Sequence, residues 1–397
     1  MSRSGLTRLA AVVLAASVLV APAAIGYEYW EHRYISESAA SAAFAAFDAE
    51  YPLPWNDAEG GAWIRWKDGV KGGDVEVWTS ADANAKGHWG TSFGHLVGIY
   101  ADWILDVPTL REHTTAERLT ALRGKEKLVF SGKLDTLFRG GLEFLRDAAV
   151  NESHFSSIAV LTYVDHHHRA IKLAYDAAWM KKAGRATDSV ANLAEAIHYE
   201  ALGVHSLTDL FAPGHLMEDR QQAIAEILHS ETTVLKGIIR GASVDKDTHD
   251  KFNQLGLYVR SYDAYKANQE TGWLARGDGC LSQAGPDYKC AKNYEALTKT
   301  LGRPQKYGWA NPDGLGMARR AVARSVMKLL TAYKDFQDGK TWEEVNQSFD
   351  YYSALSFVPV QYQKAQWVKV FGSPPAGCAT DWCSFPHLAA IETIKAR

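Results

Sequence analysis

The run A-N-L-A-E-A-I-H-Y-E-A-L-G-V-H-S-L-T-D-L at residues 191–210, followed by F-A-P-G-H at 211–215, decides how the chain is read. Its apolar residues recur three and four positions apart, the spacing of a helix with one buried face. Within it His205 and Asp209 are four residues apart. On a helix that places an imidazole and a carboxylate one turn apart on one face. Pro213 stops the helix, because proline lacks an N–H and clashes with the preceding turn. Gly214 lets the backbone turn, and His215 comes back from the next segment. Two nitrogens and one oxygen then converge from a rigid helix end. That is the ligand set of a hydrolytic zinc site, three protein ligands with room left for water. The same spacing also describes a plain hydrogen-bonded His–Asp pair, so the reading turns on matching residues elsewhere.

Helical periodicity extends through most of the sequence. Residues 30–47, 134–149, 158–183, 191–210, 221–239, 317–336 and 385–395 all read as helix. Residues 187–189 are expected to cap the helix that carries His205. Strand-like alternation is confined to 74–78 and 356–362. Many helices with few strands predict an all-α, multi-helical fold. The irregular stretches 51–90 and 272–314 are expected to rim a site.

Composition narrows the classes. Hydrophobic residues make up 47 % of the 397, which supports a sizeable core and excludes disorder. A formal net charge of -3 gives no basic surface to hold duplex nucleic acid by its phosphates. Residues 1–26 read as a cleaved targeting segment. Arg3 and Arg8 are its positive start, 9–20 its apolar stretch, and Ala21-Pro22-Ala23 or Ala24-Ile25-Gly26 its small-residue end. A retained N-terminal anchor is the competing reading. Cleavage near Gly26 predicts a secreted or periplasmic protein. Cys280, Cys290, Cys378 and Cys383 then suit two local disulfides between nearest neighbours.

H-x3-D-x5-H, with Pro two residues before the last His, resembles the core signature of the zinc-dependent phospholipase C family, which includes the fungal single-strand-specific nucleases. His205, Asp209, Pro213 and His215 fall on it. The family usually has Tyr after the first His and Gly before the Asp, where this chain has Ser206 and Thr208. The resemblance runs over about residues 27–278. It implies a phospholipase C/single-strand nuclease-like helical bundle. The expected organisation is a signal peptide at 1–26, a zinc-dependent phosphodiesterase domain at 27–300 and a C-terminal helical extension packed on it at 301–397.

The resemblance also points to further ligands. His32, followed by Ile35 and Ala39, matches a zinc-binding His on the first mature helix. Tyr27 lies five residues before it, where the nucleases coordinate zinc through a new N-terminus. Asp102 in F-G-H-L-V-G-I-Y-A-D-W matches the carboxylate that bridges two zincs, with His95 a supporting partner on the same helical face. His154 in N-E-S-H-F matches an N-x-x-H-F ligand. His249 matches the last His, but the expected carboxylate four residues on is Asn253. His229 is a rival for that position. His166, His167 and His168 point in three directions and read as a solvated face, and His198 reads as a core or supporting His.

The expected ligand set is therefore His32, Asp102, His154, His205, Asp209, His215 and His249, holding two or three Zn2+ ions. All are N or O donors, which suits phosphate-ester chemistry at a polynuclear site. The resemblance makes Asp102 the expected catalytic group, which bridges two ions, holds the hydroxide they share and accepts the water's proton, while the metals align that water. The implied activity is that of an exported phosphoric diester hydrolase, a phospholipase C-type enzyme cleaving phospholipid headgroups with transient contact at a membrane surface. A monomer is expected. A single-strand nuclease or nucleotidase, and a metal-stabilised interaction protein without catalysis, are the alternatives.

Overall fold

The computed structural model describes residues 29–50, 64–66, 75–77, 91–100, 104–113, 154–217, 252–253, 256–277, 314–373, 378 and 380–396. The expected helices at 134–149 and 221–239, the targeting segment, Tyr27, Asp102, His229 and His249 lie outside them. Among the described residues 72 % are helical.

The frame is a set of mutually packed helices. α1 spans Tyr29–Glu50, α2 Phe93–Ile99, α3 Ser156–Lys182 and α4 Ala186–Asp209. α3 and α4 form an antiparallel hairpin with the most extensive contact among the described elements. The turn between them needs a left-handed residue, which Gly184 supplies at φ 76°. Thr187 to Ser189 do not cap α4, which starts at Ala186 after Arg185. Ser189 is buried inside the helix instead, and its hydroxyl donates to the Ala177 carbonyl at 2.7 Å. A hydroxyl that faces the neighbouring helix is more use there than at the solvent end.

α2 lies tight against α1. A Cβ on Gly94 would come within 2.5 Å of the Arg33 carbonyl, one residue from His32, so only glycine allows this approach. α2 begins at Ser92, whose hydroxyl accepts from the His95 N–H. It ends at Ile99, with Tyr100 extended. The helical spacing expected from His95 towards position 102 is therefore not continued.

The C-terminal third joins this frame. After the short helices α5 (Pro213–Met217) and α6 (Tyr262–Lys266), α7 spans Gly314–Gln337 and packs on α3, α1 and α4. Met317, Ala321, Val322, Ser325, Leu329 and Tyr333 form its buried stripe at helical spacing. A buried polar network fastens α7 to the hairpin. His167 of α3 meets Glu200 of α4 at 2.6 Å (Nδ1 to Oε2) and the Tyr351 carbonyl at 2.8 Å through Nε2. The Ser325 hydroxyl donates to Glu200 at 2.5 Å, and Tyr163 bonds Ser325 at 2.8 Å. The solvated reading of residues 166–168 is thus corrected. His167 is fully buried, and the helix turns only its neighbours outward.

The all-α expectation holds in its coarser form, a mostly helical chain, but a small four-stranded antiparallel sheet is also present. β1 (Ile64–Trp66) and β2 (Val75–Val77) make a separate ribbon. β3 (Leu257–Ser261), β4 (Trp273–Ala275), β5 (Pro359–Gln363) and β6 (Trp382–Ser384) pair in the order β4-β3-β5-β6. Every residue of β3 and β5 is buried, so neither strand carries the in–out alternation that marks a half-exposed sheet. Buried Arg260 of β3 is accommodated by partners. Its Nε donates to Gln361 Oε1 at 2.8 Å, and its guanidinium lies 4.6 Å from the Trp382 ring centroid. Cys383, within β6, lies at disulfide distance from Cys378, Cα–Cα 5.1 Å; Cys280 and Cys290 fall outside the described residues. Among the described residues no helix is long and apolar enough to cross a membrane.

Candidate metal centre

Four elements meet at the C-terminal end of α4. α4 itself delivers His205 and Asp209 from successive turns of one face. α1 brings His32 alongside, His154 stands just before α3, and His215 sits on α5, Pro213–Met217. Pro213 does more than stop a helix. α4 ends at Asp209, and proline takes the first position of α5, where its missing N–H costs nothing and its fixed φ suits the turn. His215 therefore points back at α4 from a second short helix.

Asp209 is the centre of the cluster. Its Oδ1 lies 3.1 Å from His215 Nδ1 and 3.5 Å from His32 Nε2. Its Oδ2 lies 2.7 Å from His154 Nδ1 and 3.5 Å from His205 Nε2. His32, His205 and Asp209 are 0 % exposed, His215 1 % and His154 4 %. Despite these short approaches, neither Asp209 oxygen meets a donor in hydrogen-bond geometry. The side chains converge on common points rather than pair along hydrogen-bond axes. Atoms bound to one ion at about 2.0–2.2 Å in tetrahedral geometry sit roughly 3.3–3.6 Å apart, close to several of these separations. His32, His205 and Asp209 form one group able to hold a metal ion, and His154, Asp209 and His215 form another. Asp209 belongs to both. The sequence reading gives the bridging position to Asp102, which lies outside the described residues; Asp209 is the residue common to both groups.

The electrostatics agree with the geometry. Burial pushes the Asp209 carboxyl up, but His154, His215, His205 and His32 around it outweigh burial and hold it well below the usual carboxylate range. Burial first, then the neighbouring His32, drives His205 well below the ordinary imidazole value. Asp209 is thus an anion and His205 a neutral base. A buried carboxylate ringed by imidazole nitrogens is a costly arrangement unless positive charge balances it, and a divalent ion would supply that charge. Imidazole nitrogen and carboxylate oxygen, with no thiolate, suit zinc and neighbouring transition ions.

The supporting residues fix which nitrogen each ring presents. His205 Nδ1 lies 2.7 Å from the Val97 carbonyl of α2. A carbonyl only accepts, so Nδ1 carries the proton and Nε2 faces Asp209 with its lone pair. His32 Nδ1 lies 2.7 Å from the Thr208 hydroxyl, and its ring stacks on His205 with centroids 4.0 Å apart. Asn253 Oδ1 accepts from the Gly214 N–H at 2.7 Å, beside His215. The amide that stands where a carboxylate ligand is expected therefore anchors the ligand-bearing backbone. His198 is fully buried with its Nδ1 2.7 Å from the Tyr100 hydroxyl, and His95 Nδ1 lies 3.0 Å from Ser92 Oγ. Thr208, Val97 and Asn253 are the residues that sequence reasoning missed. Thr208 carried a signal, as the position where the motif departs from its usual glycine. A backbone carbonyl such as that of Val97 leaves none. Compared with family models, curated proteins and solved structures, the chain matches none of them.

Proposed function

We propose that the protein is an exported, zinc-dependent phosphodiester hydrolase that acts on phospholipid headgroups in the manner of a phospholipase C. The observation that carries the reading is the pair of ligand groups sharing buried Asp209. Zinc bound there supplies Lewis acidity and lowers the pKa of a coordinated water.

The chain's own residues perform the rest. Asp209 lies within reach of all four histidines, Oδ1 nearest His215 and His32 and Oδ2 nearest His154 and His205, so its carboxylate would be a ligand common to both groups. Val97 holds His205 so that Nε2 stays a lone-pair donor. The packing of α1, α2 and α4 keeps bulk water from these donors, which strengthens every charge interaction among them. A net charge of -3 favours a substrate bound through its phosphodiester at the metals over a polyanion held along a basic face.

The test uses the mature chain on phosphatidylcholine vesicles and on single-stranded DNA, with and without chelator, beside Asp209→Asn. Chelator-sensitive release of phosphorylated headgroup, abolished in Asp209→Asn, supports the proposal. Cleavage of DNA alone would replace it with the nuclease reading. Tightly bound zinc with no cleavage of either substrate would leave a metal-stabilised interaction protein.

A further inference from the structure

We infer that Thr208 is a positioning residue for the metal centre, setting the tautomer of His32 so that Nε2 is the ring's ligating atom. The inference rests on the metal-binding reading of the cluster.

It follows from counting protons. The Thr208 hydroxyl lies 2.8 Å from the His205 carbonyl and 3.0 Å from the Val204 carbonyl on its own helix. Both are acceptors only, and the hydroxyl has a single proton to give. Threonine in a helix commonly commits that proton to a carbonyl of the preceding turn. With the proton so placed, the Thr208 oxygen can only accept from His32 Nδ1, 2.7 Å away. Nδ1 must then be the protonated nitrogen, leaving Nε2 as a lone pair 3.5 Å from Asp209 Oδ1. Thr208, His32 and Asp209 are all fully buried, so bulk water does not compete for these positions.

The location gives the hydroxyl its effect. Thr208 precedes Asp209 in sequence and its hydroxyl bonds the carbonyl of His205, so one side chain on α4 ties a ligand from α1 to the two ligands of its own helix. His205 is oriented by the same chemistry, an acceptor on Nδ1, here the Val97 carbonyl. Both rings of the stacked pair thereby present Nε2 towards Asp209. Groups that orient a metal-bound imidazole through its second nitrogen typically change metal affinity 10–100-fold when removed.

The experiment uses the mature full-length chain, its Thr208→Val and Thr208→Ser variants, and zinc as the probe. Zinc affinity is measured by competition with a chromophoric chelator. The His32 tautomer is read in the metal-stripped wild type by nitrogen NMR with labelled histidine. We expect the Nδ1–H form at His32, a loss of about 10–100-fold in zinc affinity in Thr208→Val, and near wild-type affinity in Thr208→Ser. Near-ultraviolet circular dichroism checks that the valine variant is folded, and the serine rescue separates loss of the hydroxyl from altered packing. An Nε2–H tautomer in the wild type, or zinc bound as tightly by folded Thr208→Val as by wild type, overturns the inference. A wild-type chain that binds no zinc overturns the metal reading itself, and the tautomer measurement still judges what Thr208 does to the ring.

Discussion

Replacing His167 by Phe tests the junction that binds the C-terminal helix to the α3–α4 hairpin. The substitution keeps an aromatic ring where His167 stacks on Tyr163, with centroids 5.2 Å apart, so little volume is lost. It removes the ring's polar contacts, the 2.6 Å approach to Glu200 Oε2, the 2.8 Å bond to the Tyr351 carbonyl and a 3.4 Å approach to the Ser325 hydroxyl. Both ring nitrogens face acceptors, so His167 and Glu200 form a cation–anion pair or share one proton between them. Among the described residues Glu200 keeps the Ser325 hydroxyl at Oε1, and Oε2 loses its His167 partner in a fully buried place. Breaking a buried pair by removing one member costs about 3–5 kcal/mol, because the other is left uncompensated. The assay is urea unfolding of the chelator-treated protein, so that metal release does not enter the transition. Glu200→Leu alone should cost a similar amount. The double variant should cost much less than the two together, with a coupling of about 1–3 kcal/mol. A loss under about 1 kcal/mol in His167→Phe, or simple additivity in the double variant, would refute the charged-network account.

Two further outcomes follow from the same kind of accounting. His387 is fully buried, and its Nε2 donates to the Pro359 carbonyl at 2.6 Å. Burial lowers its pKa from 6.5 to about 4. The folded state thus resists a proton that the unfolded chain takes up below about pH 6.5, and stability present above that pH is lost as pH falls towards 4. The difference is worth about 3 kcal/mol. His387→Gln should show that much less acid destabilisation between pH 7 and 4 in urea titrations, and identical acid slopes would contradict the assignment. Asn253→Leu removes the acceptor of the Gly214 N–H and should cost about 1–3 kcal/mol. Asn253→Asp, which keeps an oxygen there, should hold the α5 backbone better; equal behaviour of the two variants in unfolding and zinc titration would show that the bond does not matter.

The parts legible in the sequence were those written in helical periodicity. α1, α3, α4 and α7 stand where three- and four-residue spacing of apolar side chains places them, to within a few residues at each end. β3 and β4 were not legible. Burial of all five β3 residues erases alternation, and their pairing with β5 joins segments about a hundred residues apart, a relation no local pattern carries. In the site, His32, His154, His205, Asp209 and His215 could be singled out by motif spacing, and the structure brings those five together. What supports them was hidden. The Val97 carbonyl has no side-chain signature, and Thr208 stood out only as a departure from a glycine. Asn253 looked like a poor ligand, since sequence alone does not show that its oxygen is taken by the Gly214 N–H. His167 misled for a related reason. Three consecutive histidines suggest solvent, yet on a helix one of any three must face the packed side.

The measurement that bears most directly on the central claim is the number of zinc ions on the purified mature chain, by native mass spectrometry, for wild type and Asp209→Asn. A site in which Asp209 serves both ligand groups predicts two or more tightly held ions in the wild type and loss of both when its charge is removed. One class of ion lost and the other unchanged would show that Asp209 is not shared, and a wild-type chain that holds no ion would mean the buried His–Asp cluster is not a metal centre.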